Sequence, residues 1–333
     1  MTALLLPTAL DALLDHEPLL RARLRSDDPG VRRIALIELA DIEDDSHLPW
    51  LLQLLHDPAA EVRAEAARRL AAWEREDSVN GLLAALDDDD AGVREASAQS
   101  LTELKQTPSG LWLLPALAHP RPFVRASVLR ALKELRQPLS LTPARELLGD
   151  GDATVRLEAV GVVGWLKHAD ALPPLTRLTT EDPDASVRRA AAGALGYAAD
   201  GAAVIDALRG ALADTDWTVR EEAATTLGKL RWAVALPSLI VALDDSSWQV
   251  RQRAVRAVGR LGPAADTALP ALFALLGHEI ANVRKEVVIA LGEIGHRNAL
   301  PALEQAAHDA DPDVRKLARL AITQIGAAEP AAR

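Results

Sequence analysis

A Val-Arg pair returns ten times along this chain at almost constant spacing. The pairs begin at Val31, Val62, Val93, Val124, Val155, Val187, Val219, Val250, Val283 and Val314, and the intervals are 31, 31, 31, 31, 32, 32, 31, 33 and 31 residues. A period held over the whole chain means that one supersecondary unit is stacked on copies of itself, each touching only its neighbours. The repeat overrides the two-domain prior that 333 residues would carry. It predicts a single solenoid over residues 1–326 and a disordered tail over 327–333.

Each unit reads as a helix A, a tight acidic turn, a helix B and a short link. Helix A is expected to begin at Leu48-Pro49, Leu114-Pro115, Leu172-Pro173, Leu236-Pro237, Leu269-Pro270 and Leu300-Pro301. Proline is tolerated there because the first helical turn leaves its N–H groups unpaired anyway. Three residues before the Val stand Asp28, Asp90, Asp152, Asp184, Asp216, Ser247 and Asp311, short oxygen-bearing side chains suited to cap helix B. Helix B is amphipathic, as in Val250, Ala254, Val255, Val258 and Leu261. Nine residues after the Val stand Gly164, Gly196, Gly228, Gly259 and Gly292. A helical glycine costs about 1 kcal/mol against alanine, so its return predicts close backbone approach or a nearby helix end. The apolar start, MTALLLPTALDALLDHEP, carries Asp11, Asp15 and Glu17 and no basic segment, and reads as the first helix of repeat one rather than a leader.

Composition limits the function classes. The net charge of −11 disfavours non-specific binding to nucleic acid or an anionic membrane, which both need cationic attraction. The ten Val-Arg arginines invite a phosphate-stripe reading. With them set aside, however, the B helices hold 13 basic against 11 acidic residues from each Val to eleven residues on, which is not a basic face. No cysteine is present, so there is no disulfide, thiolate nucleophile or Cys-ligated metal, and a cytoplasmic location is expected. No run approaches the ~20 apolar residues that a membrane helix needs.

These residues resemble the HEAT repeat family, specifically the bacterial HEAT-like repeats of phycobilisome-lyase type, over about residues 8 to 326. The resemblance implies an all-α, right-handed superhelix of about ten helix pairs, roughly 100 Å long at about 10 Å per layer, with the B helices on its concave side. It also implies an Asp-Arg ladder hydrogen-bonding between neighbouring repeats. The pattern residues here are Asp57/Arg63, Asp88/Arg94, Asp150/Arg156, Asp182/Arg188, Asp214/Arg220, Asp245/Arg251 and Asp309/Arg315. Ser26/Arg32, His119/Arg125 and His278/Arg284 depart from it, so breaks are expected at the N-terminal end and around repeats four and nine.

Candidate sites lie on helix B. Trp165 and Tyr197 hold the same place in repeats five and six, with Gly161 and Gly193 four residues earlier and Leu157 a turn before that. Rings beside missing side chains suggest a shallow cup for a partner; the competing reading is that the rings cover the gaps. Arg253, Arg256 and Arg260 share one face of repeat eight and would meet an anionic partner, unless cross-paired to Glu221 and Glu222. Asp87–Asp90 reads as a solvated turn, lacking the Gly and distal Glu of a calcium loop. His16-Glu17 and His278-Glu279 resemble the His-Glu pairs of deoxyhypusine hydroxylase but stand at opposite ends of the chain, and no metal site, catalytic residue or cofactor is expected. The expected function is non-enzymatic binding of another protein, as an adaptor, scaffold or assembly factor, with a monomer plausible. The alternatives are a chromophore- or cofactor-attachment factor like the phycobilin lyases, or a HEAT-like DNA glycosylase, which the acidic charge disfavours.

Overall fold

The computed structural model describes residues 7–14, 16–199 and 201–327. Among these there are twenty-one α-helices and no strand. Two compact units are present, residues 1–166 and 167–333, with repeats one to five in the first and six to ten in the second.

In the first unit the A and B helices of repeat one are Pro18–Leu24 and Pro29–Asp41. They are followed by Leu48–Leu54 and Ala60–Leu70, Glu76–Ala85 and Ala91–Thr102, Gly110–Leu113 and Pro122–Glu134, and Leu141–Leu147 and Ala153–Leu166. In the second unit the pairs are Leu172–Glu181 and Ala185–Ala194, Ala202–Ala211 and Trp217–Leu230, Leu236–Ala242 and Trp248–Arg260, Leu269–Leu275 and Ala281–Ile294, and Leu300–Ala306 and Pro312–Ala327. Within each unit every B helix packs against the B helix of the next repeat and against the A helix of its own.

The period works because it delivers the same residues to the same buried place. The marker valines from Val62 to Val314 are at most 1% exposed. Eight residues on, Leu39, Leu70, Leu101, Leu132, Val163, Leu195, Leu227, Val258 and Leu291 are buried too. Two helical turns separate these positions, so each B helix seats both ends of one stripe in the core, at about 1.5–3 kcal/mol per buried aliphatic side chain. Asp28, Asp90, Asp152, Asp184, Asp216 and Asp311 accept backbone N–H groups at the start of their B helices.

Four local expectations need correction. Repeat one's A helix is Pro18–Leu24, and the N-terminal stretch forms a separate short helix, Pro7–Ala12, to which Trp50 is tied by an indole N–H bond of 2.9 Å to the Leu10 carbonyl. Leu114-Pro115 does not open the α-helix: helix A of repeat four is Gly110–Leu113, and Leu114-Pro115 opens the 3-10 segment Leu114–Ala118 that follows it, where the missing proline N–H costs no bond. Ser247 caps nothing with its side chain; its hydroxyl bonds the Gln249 side chain instead. The final helix runs through Ala327, and the expected tail beyond it, 328–333, lies outside the described residues.

Candidate functional site

The arginine after each marker valine lies at the turn between helices A and B. Arg63 shows the full geometry. Its Nε and Nη2 each donate at 2.8 Å to the two carboxylate oxygens of Asp88, in the next repeat. Its Nη1 donates to the carbonyls of Asp57 and Pro58 in its own turn. The Asp88 carboxylate also accepts the Asp90 N–H at 2.8 Å, which closes the turn. One side chain thereby ties a turn to itself and to the next repeat, through the planar fork that only arginine offers.

The same fork joins Arg32 to Asp57, Arg125 to Asp150, Arg188 to Asp214, Arg220 to Asp245 and Arg284 to Asp309, all at 2.7–2.9 Å. The carboxylate of each of these aspartates thus serves the arginine 25 or 26 residues before it, while the carbonyls of Asp57, Asp88, Asp150, Asp214 and Asp309 serve the arginine six residues after. This puts the breaks at the interfaces that lead into repeats four and nine and removes the one expected at the N-terminal end. Arg32, Arg125 and Arg284 are fully paired, although Ser26, His119 and His278 stand in their own turns. The rungs that lack a carboxylate are those of Arg94, which faces repeat four, and Arg251, which faces repeat nine.

The expected pairs Asp150/Arg156 and Asp309/Arg315 are corrected by the same rule. The Arg156 Nη1 donates at 2.9 Å to the Asp150 carbonyl and at 3.3 Å to that of Gly151, while the Asp150 carboxylate belongs to Arg125. The Arg315 Nη1 donates at 2.7 Å to the Asp309 carbonyl and at 2.9 Å to that of Ala310, while the Asp309 carboxylate belongs to Arg284. Both bonds tie a turn to its own helix B and neither is an inter-repeat rung. Arg315 stands in repeat ten, and no repeat follows it among the described residues. The reason is geometric: each arginine sits in the first turn of helix B with its own aspartate's carbonyl beside it, and that aspartate's carboxylate is already turned toward the preceding repeat.

Arg63 bonding holds the Asp88 carboxyl below the ordinary carboxylate range, and Arg284 does the same for Asp309. Asp150, Asp214 and Asp245 are pushed up by burial, but their arginines and turn N–H groups outweigh it and they too lie low.

A second set of ion pairs joins neighbouring B helices. Arg130 reaches Glu158 of the next repeat at 2.8 Å, and Arg256 reaches Glu286 at 3.4 Å from the equivalent position. Arg253 meets Glu221 at 3.1 Å, so the basic face of repeat eight is cross-paired at Arg253 and Arg256, while Arg260 is exposed. Spacings of 28–32 residues between basic and acidic B-helix positions were the available signal for these pairs.

The glycines beside the aromatic residues do not leave open space. A Cβ on Gly193 would lie 2.9 Å from the Glu222 carboxylate, and one on Gly161 would lie 3.4 Å from the Lys133 side chain. Neighbouring polar side chains cover both gaps, against the expected cup floor. In the first unit Trp165, in the last turn of its B helix, is 44% exposed, and the Arg136 guanidinium stacks 4.5 Å from the ring centroid. Leu157 is half-buried on the same helix. In the second unit the Tyr197 hydroxyl donates at 2.8 Å to the His168 carbonyl, and burial pushes its pKa up to about 12. Arg136 was not singled out from sequence, because it lies outside helix B in a left-handed conformation (φ 56°) that only the fold reveals.

Elsewhere, grooves open between neighbouring A helices. One is lined by Phe273, Leu276, Pro301 and Gln305, another by Leu24, Trp50, Gln53 and Leu54. Three of the four acids of Asp87–Asp90 have side-chain contacts: Asp87 with Arg121, Asp88 with Arg63, and Asp90 as a helix cap. His278 accepts the Ile280 N–H in its turn. Among the described residues no group of three or more His, Asp or Glu is placed to hold a metal ion, and no helix is long and apolar enough to cross a membrane.

Comparison with known proteins agrees with this architecture. No curated protein gives a significant sequence match. An engineered protein of known structure superposes with a TM-score of 0.52 at 20% identity, covering 95% of this chain and 98% of its own. The Escherichia coli protein YIBA_ECOLI gives 0.54 at 20% identity, covering 90% and 97%. The Kap95:Nup1 complex gives 0.62 at 15% identity over 98% of this chain, which spans about half (52%) of the matched chain. At such identities the likeness is one of fold. The family model for HEAT repeats matches residues 17–102, 111–196, 178–246 and 236–323, and the chain belongs to the HEAT repeat family.

Proposed function

We propose that this chain is a non-enzymatic protein-interaction module, an adaptor, scaffold or assembly factor, that engages its partner along the inner row of B helices. The observation that carries the reading is Trp165. It is a large ring, 44% exposed, with the Arg136 guanidinium stacked over it. Tryptophan and arginine dominate binding hot spots because they offer large contact area. Leu157 lies on the same helix and extends the surface; Tyr197, Arg253, Arg256 and the exposed Arg260 are the contact positions proposed in the second unit. The fold supports the reading in general terms, since a stack of repeats presents a long continuous surface.

The test is capture of partners from the source cell's lysate by wild type and by Trp165→Ala, followed by titration of the purified partner. The ring is exposed, so the variant should match wild type in thermal stability. A Kd weakened about 30-fold or more is expected for a lost hot spot. Equal affinity for both proteins would remove Trp165 from the site, and failure of wild type to retain any partner through purification would overturn the interaction function.

A further inference from the structure

The inter-repeat ladder is missing a carboxylate at one rung that the molecule has not otherwise closed. Where Arg220 finds Asp245 and Arg284 finds Asp309, Arg251 faces repeat nine, whose rung position is His278. The histidine performs one of the two jobs of the aspartate it replaces. Its Nδ1 accepts the Ile280 N–H at 3.0 Å, as Asp245 Oδ1 accepts the Ser247 N–H at 2.8 Å. That bond leaves Nδ1 unprotonated and places the ring proton on Nε2, so the imidazole has no second acceptor to offer a guanidinium. Three residues before the valine stands Ile280, which brings no cap side chain either.

Arg94, opposite His119, shows how a missing rung is tolerated. Its Nη1 keeps the carbonyls of Asp88 and Asp89, and its guanidinium lies 5.9 Å from the centre of the Phe123 ring. Arg251 has no such substitute: its Nε is buried and has no hydrogen-bond partner. A buried guanidinium N–H without an acceptor is a standing cost that an incoming anion removes. In each completed rung that anion is a carboxylate, gripped through Nε and Nη2 at 2.7–2.9 Å.

We infer that Arg251 is a docking point for a carboxylate side chain presented by an acidic segment of a partner protein, which completes the rung between repeats eight and nine from outside. The site adds a contact on the turn edge to the interaction function proposed above and rests on that reading for its partner being a protein. Its chemistry is local to Arg251, His278 and Ile280. The one acid within that turn is Glu279, whose side chain is exposed.

The experiment follows the Arg Nε–Hε signals of the full chain labelled with nitrogen-15 arginine, the Arg251 signal being identified by its loss in Arg251→Lys. The probe is a capped Gly-Ser-Asp-Ser-Gly peptide, with the Asn version as control and inorganic phosphate as a second probe. A saturable shift of the Arg251 signal with the Asp peptide, and none with the Asn peptide, is expected. In His278→Asp the chain supplies its own carboxylate at high effective concentration, so binding should weaken about tenfold or more. The same variant should melt higher than wild type, which shows that it is folded. No shift in wild type, or an equal shift in His278→Asp, overturns the site. A shift with phosphate alone overturns the carboxylate assignment, and binding that emerges only in Glu279→Ala makes Glu279 the occupant and overturns it as well. Each of these failures leaves the Trp165 test untouched, since that test reads a different surface.

Discussion

At the scale of single residues, the Asp-Arg rungs and the buried glutamates of the B helices pull stability in opposite directions with pH. The side chains of Arg63 and Asp88 are 18% and 13% exposed, so each charge has left most of its water and depends on the other. Removing one partner leaves the second buried and alone, and Asp88→Asn should cost about 3 kcal/mol in urea denaturation. Because the folded pKa of Asp88 is depressed, its contribution is complete above the ordinary value of about 3.9 and is lost as pH falls through the folded value. Glu222 and Glu286 behave inversely. Burial pushes both up, Glu221 and Glu293 add to the shift, and Arg189 and Arg256 offset only part of it. A raised carboxyl gains stability as pH drops from neutral through its folded pKa. Glu222→Gln and Glu286→Gln should therefore raise the Tm at pH 7, and the increment over wild type should shrink on mild acidification. A Tm increment that is constant with pH, or a lower Tm at pH 7, would count against the burial assignment.

At the scale of helices, the recurring glycines set how closely B helices approach. A Cβ at Gly228 would lie 2.8 Å from the Ala257 Cα, and one at Gly259 would lie 2.8 Å from the Ala290 Cα. These contacts are with backbone, which cannot rotate away. Gly228→Ala gains about 1 kcal/mol of helix propensity but forces two packed helices apart, at a cost of about 1–3 kcal/mol. The net change should be destabilising. Gly326, in the final helix, has nothing within 4 Å, so Gly326→Ala should be neutral or slightly stabilising by the same measurement. The helix pairs themselves were readable from the Val-Arg period, since a fixed repeat of a buried valine and a leucine eight residues later leaves little freedom in where helix B lies. What the period cannot show is which repeat a side chain turns toward. Arg63 is six residues from Asp57 and 25 from Asp88, and only the packing shows that its fork belongs to the second. Likewise the space beside Gly193 is filled by Glu222, 29 residues on, and Trp165 is held by Arg136, 29 residues back. Both partners were visible in the sequence, but neither belongs to the periodic stripe that revealed the fold.

At the scale of the whole molecule, a chain whose repeats meet only their neighbours distributes damage differently from a globular domain. Stability in such a stack is close to a sum of repeat and interface contributions, so an insult propagates only as far as the interfaces it weakens. In the first unit the Arg63–Asp88 rung joins repeat two to repeat three, while Arg125–Asp150 joins repeat four to repeat five. Between these two rungs stands the break at Arg94, where the carboxylate is replaced by His119 and the interface rests on packing, the Phe123 ring and the exposed Asp87–Arg121 pair. Loss of the Asp88 carboxylate should then loosen repeats two and three and stop there. Hydrogen exchange on Asp88→Ala should show amides of Ala60–Leu70 and Ala91–Thr102 losing protection by an order of magnitude or more, while those of Ala153–Leu166 retain wild-type rates. Uniform loss across all five repeats would mean that the first unit opens as one cooperative body and that the rungs are not the units of its stability. Protection lost in repeat three but kept in repeat two would show instead that Asp88 acts through the turn it closes with the Asp90 N–H, and that its bond to Arg63 contributes little.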